Sequence, residues 1–465
     1  MAVAPDGAVD STIADIVARA RRAQAVFATG SQADIDLACL AAARPLMRPE
    51  DNRRLCEMAV EETGIGNAAD KMRKNMRKTL GLLNDIHGQS TVGVVRDDPA
   101  QGITEIARPV GVVAALTPST NPVATPVNKT VNALKGGNAI VLAPPPAAAR
   151  TGAALLELMR IELKRVGAPP DVVQMLLPPS KAATVALMRQ ADLVVVTGSQ
   201  RNVRGAYASG TPAIGVGAGN VAVIVDETAD VGQASARIRT SKIFDNSTSC
   251  SSENHLIIVA SVYDAMMEAL RREGGVLLDD SDKRQLQSQL WVNGALNRDL
   301  IARDMAVFAD RAGLGATAEQ AAFLMVEENG VGDAYPFSGE KLSLVLTLYK
   351  AADFSAAKVQ AAALLAYQGA GHSLGIHTQT EARPLELGLE LPACRIIVNQ
   401  AHCFANGGNF DNGMPFSLSM GCGTWGGNSI SDNLNFRHFI NTVRVVRAIP
   451  AQEPTIEDIY SDYPD

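Results

Sequence analysis

The chain has 465 residues, of which 47% are hydrophobic and 20% are charged, so it can bury a large core divided between two or three domains. A formal net charge of −7 argues against binding to nucleic acid or to anionic lipid. The six cysteines form no CxxC pair, which argues against both a metal cluster and a disulfide scaffold. Because the N-terminus lacks the pattern of a signal peptide and no stretch has the length of a membrane span, we expect a cytoplasmic protein without a bound metal.

The N-terminal part of the chain has the apolar periodicity of amphipathic helices. From Ser11, which we interpret as an N-cap, hydrophobic residues recur at helical spacing until Gly30. Further helices are predicted over residues 34–43, 51–63 and 68–83. Residues 90–106 then change to two strand-like segments around a turn, which predicts a β-hairpin. A hairpin of this kind outside a helical domain is often an oligomerisation arm.

Strands and helices alternate in the next part of the chain. Strands are predicted over residues 110–116, 139–142, 172–177 and 193–196, and helices over residues 122–135, 149–166 and 182–188. Because the strands are apolar runs, they predict a parallel sheet covered on both faces, in a doubly wound α/β domain. Such a domain binds its ligand at the carboxyl ends of its strands. Two polar turns lie there, Thr117-Pro118 and Thr197-Gly198-Ser199, and the second opens a helix whose N-terminal amides can bind a phosphate.

One cysteine lies in a polar turn between a helical stretch over residues 234–241 and a strand over residues 255–259. The neighbours of Cys250 are serine and threonine at positions 247–249 and 251–252, which leave room for a substrate. A thiol that is held by flanking elements but open to a ligand suits a nucleophile. An unperturbed thiol is only slightly ionised at neutral pH, so a base or a dipole must assist it. Cys250 is therefore the candidate nucleophile.

Several motifs, in the same order along the chain, resemble the CoA-acylating branch of the aldehyde dehydrogenase superfamily. They are Arg108-Pro-Val-Gly-Val-Val, Thr117-Pro-Ser-Thr-Asn-Pro122, the segment 206–220, Phe244-Asp-Asn with Cys250, Glu340-Lys-Leu-Ser343, Gly371-His-Ser373 and the segment 421–431. The resemblance implies a nicotinamide-nucleotide-binding domain over residues 11–225 and an α/β catalytic domain over residues 226–433. It also implies a β oligomerisation arm, made of the 90–106 hairpin and the C-terminal region 434–465, and hence a homodimer or homotetramer.

The resemblance further implies roles for individual residues. Cys250 attacks the aldehyde, while Asn121 and the Cys250 backbone amide hold the oxyanion, although hydrolytic relatives place their asparagine at the position of Thr120. His372 assists transfer of the acyl group to coenzyme A, and Glu340 binds the nicotinamide ribose. The remaining cofactor-binding residues are Thr117, Pro118, Gly198, Ser199, Arg201 and Gly217.

The position of the water-activating glutamate of hydrolytic relatives is occupied here by Gly215. A general base is worth roughly a hundred- to ten-thousand-fold in rate, so its absence implies a thioester that resists water and awaits coenzyme A. The glycine-rich segment 215–219 leads into a strand and not into a helix, so we interpret it as a loop that other backbone approaches closely. A hydrolytic aldehyde dehydrogenase and an inactive structural subunit remain the alternatives.

The choice between NAD and NADP stays open. By the same resemblance, the ribose-binding lysine of hydrolytic relatives corresponds to Ala143, and the neighbouring acid that repels a 2′-phosphate corresponds to Pro146. No carboxylate is therefore expected to select against NADP. Arg150, Arg201 and Arg204 are near enough in sequence to receive an extra phosphate.

The segment 399–416 is rich in amides and glycines and is expected to face the acyl pocket. Its candidate substrate-binding residues are His402, Asn406 and Asn409, whose hydrogen-bond donors suit an anionic head group. A buried donor left unpaired costs about 1–3 kcal/mol, so this pocket should penalise alkyl aldehydes. The segment is similar to that of acylating enzymes that act on sulfoacetaldehyde, which favours this substrate. Succinic semialdehyde is the next candidate, and acetaldehyde and propionaldehyde rank below it.

Overall fold

The computed structural model describes residues 7–464, which form an α/β protein with two parallel sheets, a three-stranded antiparallel sheet and a two-stranded antiparallel sheet. The helices are α1 (Gly7–Phe27), α2 (Gln32–Met47), α3 (Pro49–Thr63), α4 (Ala68–Ile86), α5 (Ala124–Lys135), α6 (Ala149–Arg165), α7 (Lys181–Gln190), α8 (Gln200–Tyr207), α9 (Val231–Ile243), α10 (Tyr263–Arg272), α11 (Asp280–Leu290), α12 (Met305–Ala312), α13 (Ala316–Glu319), α14 (Phe354–Tyr367), α15 (Ala382–Glu390), α16 (His402–Ala405) and α17 (Ile456–Tyr460). The strands are β1 (Gly93–Asp98), β2 (Ile103–Pro109), β3 (Val112–Leu116), β4 (Ala139–Ala143), β5 (Val173–Met175), β6 (Leu193–Thr197), β7 (Ala213–Val216), β8 (Ala222–Val225), β9 (His255–Val259), β10 (Gly275–Leu277), β11 (Trp291–Val292), β12 (Ala295–Leu296), β13 (Phe323–Glu327), β14 (Val345–Ala351), β15 (Leu374–His377), β16 (Ile396–Val398) and β17 (Ile440–Val446).

The first parallel sheet confirms the doubly wound prediction. Its strands lie in the order β5-β4-β3-β6-β7, and all four pairings are parallel. Every residue of β3 and β4 is buried, as expected for apolar runs inside a sheet covered on both faces. The winding reverses between β3 and β6, which are neighbours, so a crevice for a ligand opens at their carboxyl ends.

The second parallel sheet has seven strands in the order β10-β13-β14-β9-β8-β15-β16. The sequence-based boundary at residue 225 is wrong for β8, because this strand pairs with β9 and β15 in the second sheet. The division between the two sheets therefore falls between β7 and β8. Strands on both sides of this division are equally apolar, so local pattern alone does not show which sheet each strand joins.

The third sheet is antiparallel, with the order β1-β2-β17. The predicted hairpin is confirmed as β1 and β2, and the C-terminal strand pairs with β2 from Ile440 to Val446. At the N-terminus, α1 begins at Gly7, so Ser11 lies inside the helix and the prediction that it is an N-cap is wrong. Within residues 7–464, no helix is long and apolar enough to cross a membrane, and no group of three or more His, Cys, Asp or Glu side chains is placed to hold a metal ion.

Candidate active site

Cys250 lies in the turn between α9 and β9, and the backbone of this turn is strained. Asp245, Asn246 and Ser247 have φ values of 48°, 53° and 62°. Non-glycine residues rarely adopt such angles, and they persist only where the surroundings fix them. The structure supplies that fixation through the carboxylate of Asp245, which is fully buried and accepts hydrogen bonds from Lys71 and Lys74 of α4.

Lys71 and Lys74 are not among the residues that the sequence motifs predict for the site. The Lys71 Nζ lies 3.1 Å from Asp245 Oδ2, Lys74 is closer, and both lysines are buried. Burial alone would raise the pKa of Asp245, but the charges of the two lysines outweigh burial and hold this pKa below its usual value. The available signal was the spacing of basic residues on the predicted helix. A charged helix face normally indicates exposure to solvent, whereas this face points inward.

The predicted nucleophile and the predicted histidine lie together. Cys250 Sγ is 3.4 Å from His372 Nε2, and His372 Nδ1 is 2.8 Å from Ser373 Oγ. Burial, helped by the charge of Arg395, lowers the pKa of His372 far below its usual value, so the imidazole is neutral and its Nε2 can accept the thiol proton. Burial, followed by the charge of Glu340, raises the pKa of Cys250 to about 12. The free enzyme therefore holds an uncharged thiol beside an uncharged base.

Asn121 reaches the catalytic turn through Lys74. Lys74 Nζ lies 2.6 Å from Asn121 Oδ1 and 3.1 Å from Thr248 Oγ1, two residues before Cys250. Because an ammonium group only donates, Lys74 must face the amide oxygen, which leaves the Asn121 NH₂ group to donate elsewhere. Thr120 has no side-chain amide, and its backbone carbonyl oxygen accepts from Lys71 at 3.0 Å. This arrangement favours Asn121 as the side-chain donor to an oxyanion, and the role itself stays a prediction.

Glu340 and the glycine-rich loop approach the thiol from another side. Burial raises the pKa of Glu340 to about 8, against a backbone hydrogen bond from Gly219 that lowers it. Glu340 Oε1 has no partner among the described residues, so it can pair with a hydroxyl group of a ligand such as a ribose. A Cβ on Gly219 would lie 2.0 Å from the carbonyl oxygen of Cys250, which confirms the close approach predicted for this loop.

Gly215 lies against α8, unlike Gly219, which lies against Cys250. It lies inside β7, and a Cβ there would meet Val203 Cγ1 at 2.5 Å and the Tyr207 ring at 3.1 Å, both on α8. A larger side chain at this position therefore contacts α8 first.

The predicted cofactor residues gather at the crevice between β3 and β6. Most of them directly follow the carboxyl ends of parallel strands: Thr117 and Pro118 after β3, Gly198 and Ser199 after β6, and Gly217 after β7. Ser199 is the N-cap of α8 and accepts from the backbone N–H of Asn202, while Arg201 lies exposed in the first turn of that helix. Thr117 Oγ1 is buried without a partner among the described residues. An orphan hydroxyl and a helix N-terminus fit a nucleotide.

A carboxylate lies near this crevice where the sequence predicted none. Glu62 of α3 accepts hydrogen bonds from the backbone N–H groups of Arg150 (2.8 Å) and Thr151 (2.9 Å), at the start of α6 just beyond Pro146. These bonds, opposed by burial, hold the pKa of Glu62 below its usual value, so it is anionic. This acid comes from a distant part of the chain, and the expectation that no carboxylate selects against NADP stays a prediction.

The predicted substrate-binding residues lie in three different environments. His402 Nδ1 is 2.8 Å from the carbonyl oxygen of Ser251 and must donate to it, which leaves Nε2 as an unpaired acceptor. Burial lowers the pKa of His402 to about 4, so this nitrogen offers no donor to an anion at neutral pH. Asn406 Nδ2 donates to Ser251 Oγ at 2.8 Å. Asn409 lies further out, and its Oδ1 accepts from Arg77 of α4.

Comparison with known proteins agrees with this geometry. Residues 4–277 match the aldehyde dehydrogenase family. The chain is 57% identical to a sulfoacetaldehyde dehydrogenase (acylating) of Cupriavidus necator, over 99% of this chain and 94% of that protein. It is 42% identical to the sulfoacetaldehyde dehydrogenase (acylating) of Bilophila wadsworthia, over 97% of this chain and 98% of that protein. The crystal structure of an acetylating aldehyde dehydrogenase from Geobacillus thermoglucosidasius superposes with a TM-score of 0.92 at 36% identity, and covers 96% of this chain and 98% of its own.

The chain therefore belongs to the aldehyde dehydrogenase family, which confirms the resemblance that its motifs indicate. Within this family it is an acylating aldehyde dehydrogenase, an oxidoreductase that acts on aldehydes.

Proposed function

We propose that the enzyme oxidises sulfoacetaldehyde to sulfoacetyl-CoA, with NAD or NADP as the hydride acceptor, through a thioester on Cys250. The observation that carries the mechanism is the 3.4 Å contact between Cys250 Sγ and His372 Nε2. The 57% identity to the Cupriavidus necator enzyme supports the substrate. The proposal assigns the five-stranded sheet to nucleotide binding and the seven-stranded sheet to catalysis.

The first half-reaction forms the thioester. His372 takes the proton of Cys250 as the sulfur attacks the aldehyde carbon, and the former carbonyl oxygen becomes an oxyanion. The NH₂ group of Asn121 and the Cys250 backbone N–H stabilise this oxygen. A nicotinamide cofactor bound in the β3–β6 crevice, with Glu340 on its ribose, supplies the acceptor for the hydride that leaves the hemithioacetal carbon.

The second half-reaction transfers the acyl group. His372 first releases its proton to solvent and then takes the proton of the coenzyme A thiol, whose sulfur attacks the thioester carbon. The C–S bond to Cys250 breaks, and His372 returns the proton to the departing sulfur. The acyl group leaves as a new thioester, so the energy of the acyl bond is conserved and the reaction is reversible.

Dependence on coenzyme A is the test of the proposed reaction. Enzyme, sulfoacetaldehyde and NAD(P)⁺ are mixed with and without coenzyme A, and reduced cofactor and thioester are measured. We expect sustained turnover only with coenzyme A and none in the Cys250→Ala variant. Equal turnover without it would indicate the hydrolytic alternative, and none in either mixture would indicate the inactive-subunit alternative.

The substrate is tested by competition between aldehydes. We expect the highest kcat/KM for sulfoacetaldehyde, followed by succinic semialdehyde, with acetaldehyde and propionaldehyde lower. Equal or better use of propionaldehyde would contradict an anion-selective pocket.

The cofactor preference is tested at Glu62. Its carboxylate repels a 2′-phosphate at the start of α6, whereas Arg150, 66% exposed, attracts one. We expect Glu62→Gln, which keeps one of the two acceptor oxygens for the helix N–H groups, to raise the ratio of kcat/KM for NADP to that for NAD. An unchanged ratio would show that the adenosine ribose of the cofactor does not bind near Glu62.

We also propose a reducing, cytoplasmic location, because all six cysteines are free and none pairs with another. With a net charge of −7, the chain is not expected to bind nucleic acid or membranes.

A further inference from the structure

Helix α4 carries a row of five cations. These residues are Lys71, Arg73, Lys74, Arg77 and Lys78. Lys71 and Lys74 share the carboxylate of Asp245, and Lys78 Nζ donates to the carbonyl oxygens of Gly407 (2.6 Å) and Gly408 (2.9 Å). The three lysines thus donate to oxygen atoms of the protein, whereas the two arginines lie over aromatic rings.

Arg77 is half-buried in an aromatic enclosure. Its Cζ lies 5.0 Å from the ring centroid of Phe404 and 5.9 Å from those of Phe410 and Phe416. Its Nη2 donates to Asn409 Oδ1, and its other N–H groups donate to no described atom. No carboxylate among the described residues lies within 4 Å of it. The acid whose charge acts on it is Asp411, which is exposed.

This environment only partly compensates a buried charge. Aromatic faces and one amide oxygen stabilise a guanidinium, but a cation withdrawn from water is normally paired with an anion. The free N–H groups of Arg77 are not fully buried, because they are not among the buried nitrogen atoms without a partner. These groups therefore keep some contact with solvent.

Two sets of contacts link Arg77 indirectly to the catalytic turn. Lys74 lies one helical turn earlier on α4, about 4.5 Å along the axis, and contacts Asn121 and Thr248. Phe404, beneath the guanidinium, packs against Phe244 at 4.5 Å between centroids, and Phe244 immediately precedes the strained residues of the turn. Sulfoacetaldehyde carries its sulfonate on the carbon next to the aldehyde, so its anion must bind within a short distance of the thiol.

Resting on the proposed function, we propose that Arg77 binds the sulfonate of the substrate and determines its specificity. Two N–H groups of a guanidinium match two oxygens of a sulfonate in a bidentate arrangement. Asn409 holds the guanidinium in position, and Phe404, Phe410 and Phe416 form the walls. This assignment replaces His402 as the anion-binding group. The free Nε2 of the neutral His402 ring can only accept a hydrogen bond, so it cannot donate to an anion.

Arg77→Met tests the assignment, because methionine keeps much of the apolar packing without the charge. We expect kcat/KM for sulfoacetaldehyde to fall about 10- to 100-fold, mainly through KM, while propionaldehyde changes little. Arg77→Lys should recover part of the loss. Arg54→Met, which removes an exposed arginine of α3, controls for net charge and should leave both substrates unchanged. Equal losses for both aldehydes in Arg77→Met would show a structural role and overturn the proposal.

A binding measurement separates this proposal from the proposed function. Ethanesulfonate and the neutral ethyl methyl sulfone are titrated calorimetrically into the wild type, Arg77→Met and Arg54→Met. We expect ethanesulfonate, and not the sulfone, to bind the wild type, and Arg77→Met alone to weaken it at least tenfold. Arg77-dependent binding without turnover of sulfoacetaldehyde would refute the proposed substrate and leave the anion site standing. Absent or Arg77-independent binding would overturn the site, whatever the substrate.

Discussion

At the scale of single residues, the two side chains that we propose to react are both uncharged in the free protein. Burial raises the pKa of the Cys250 thiol and lowers that of the His372 imidazole, so a thiolate–imidazolium pair is disfavoured in the free enzyme. In the proposed mechanism, the proton moves from the sulfur to the nitrogen as the sulfur bonds to the carbonyl carbon. An enzyme of this kind should be a poor target for alkylating agents at neutral pH.

The alkylation rate of Cys250 should follow its raised pKa of about 12. Between pH 7 and pH 9 the thiolate fraction rises about tenfold per unit, so we expect iodoacetamide to modify Cys250 about tenfold faster for each unit. Mass spectrometry of the peptide containing residue 250 measures the rate, and the same peptide from Cys250→Ser provides the blank. A plateau reached below pH 8 would reveal a thiolate stabilised by imidazolium.

Glu253 makes the stability of the folded protein depend on pH. Burial raises its pKa from 4.5 to about 7 in the folded protein. Between these values the folded chain binds a proton that the unfolded chain lacks, so this contribution is present below about pH 4.5 and is lost as pH rises to about 7. The loss is about 3 kcal/mol.

Glu253→Gln should remove this dependence. Relative to the wild type, the variant should gain unfolding free energy at pH 8 but not at pH 4.5, because its amide oxygen still accepts from the His402 backbone N–H. Urea unfolding at both pH values measures the difference, with Glu268→Gln on the exposed face of α10 as the control. An identical gain at both pH values would argue against a raised pKa at Glu253.

At the scale of elements, the catalytic turn is fixed between α4 on one side and the loop joining β7 to β8 on the other. Lys71 and Lys74 hold Asp245, and Gly219 allows the loop to lie against the Cys250 carbonyl. The nucleophile is therefore positioned by elements of both sheets and of the N-terminal helices. A displacement of either contact should affect catalysis before it affects global folding.

Gly219→Ala tests the loop contact. The new Cβ would lie 2.0 Å from the Cys250 carbonyl oxygen, a backbone atom that cannot rotate away, so the turn must shift. We expect kcat to fall by more than tenfold, since small misplacements of a nucleophile are costly. Gly315→Ala, in open space with ordinary backbone angles, is the matched control. Full activity of Gly219→Ala would contradict the packing of this loop on the turn.

At the scale of the whole molecule, the three-stranded sheet extends without a covering layer. β17 is exposed along almost its whole length, and β1 is exposed over Val94 and Val95. A small sheet with two free edges and exposed valines is rarely stable in isolation. Its position on the surface suits a contact with a second copy of the chain.

We predict a homodimer or homotetramer that uses this sheet. Light scattering at micromolar concentration should give at least twice the mass of the chain. The double change Val443→Lys and Val445→Lys, on two residues that are 46% and 40% exposed, should reduce this mass. The surface change Val359→Lys on α14, at a residue that is 69% exposed, serves as the control. A monomeric wild type would refute the prediction.

The sequence by itself determined the elements that local pattern specifies. Apolar runs predicted four of the five parallel strands of the first sheet but not β7, and the polar turn around Cys250 indicated the candidate nucleophile. Motif order indicated the family and so brought His372 into the candidate site, 122 residues from its partner. The strands and the family were predictable because burial leaves a periodic mark on sequence and motifs keep their order, whereas the catalytic roles of Cys250 and His372 stay predictions.

Only the tertiary structure decided which distant groups meet. Lys74 and Asp245 are 171 residues apart, and Glu62 and Arg150 are 88 residues apart, so neither contact leaves a local pattern. The same holds for the membership of β8 in the second sheet and for the aromatic enclosure of Arg77. A basic helix face has the same spacing whether it meets water or a buried carboxylate, and the difference arises from long-range packing, which periodicity does not encode.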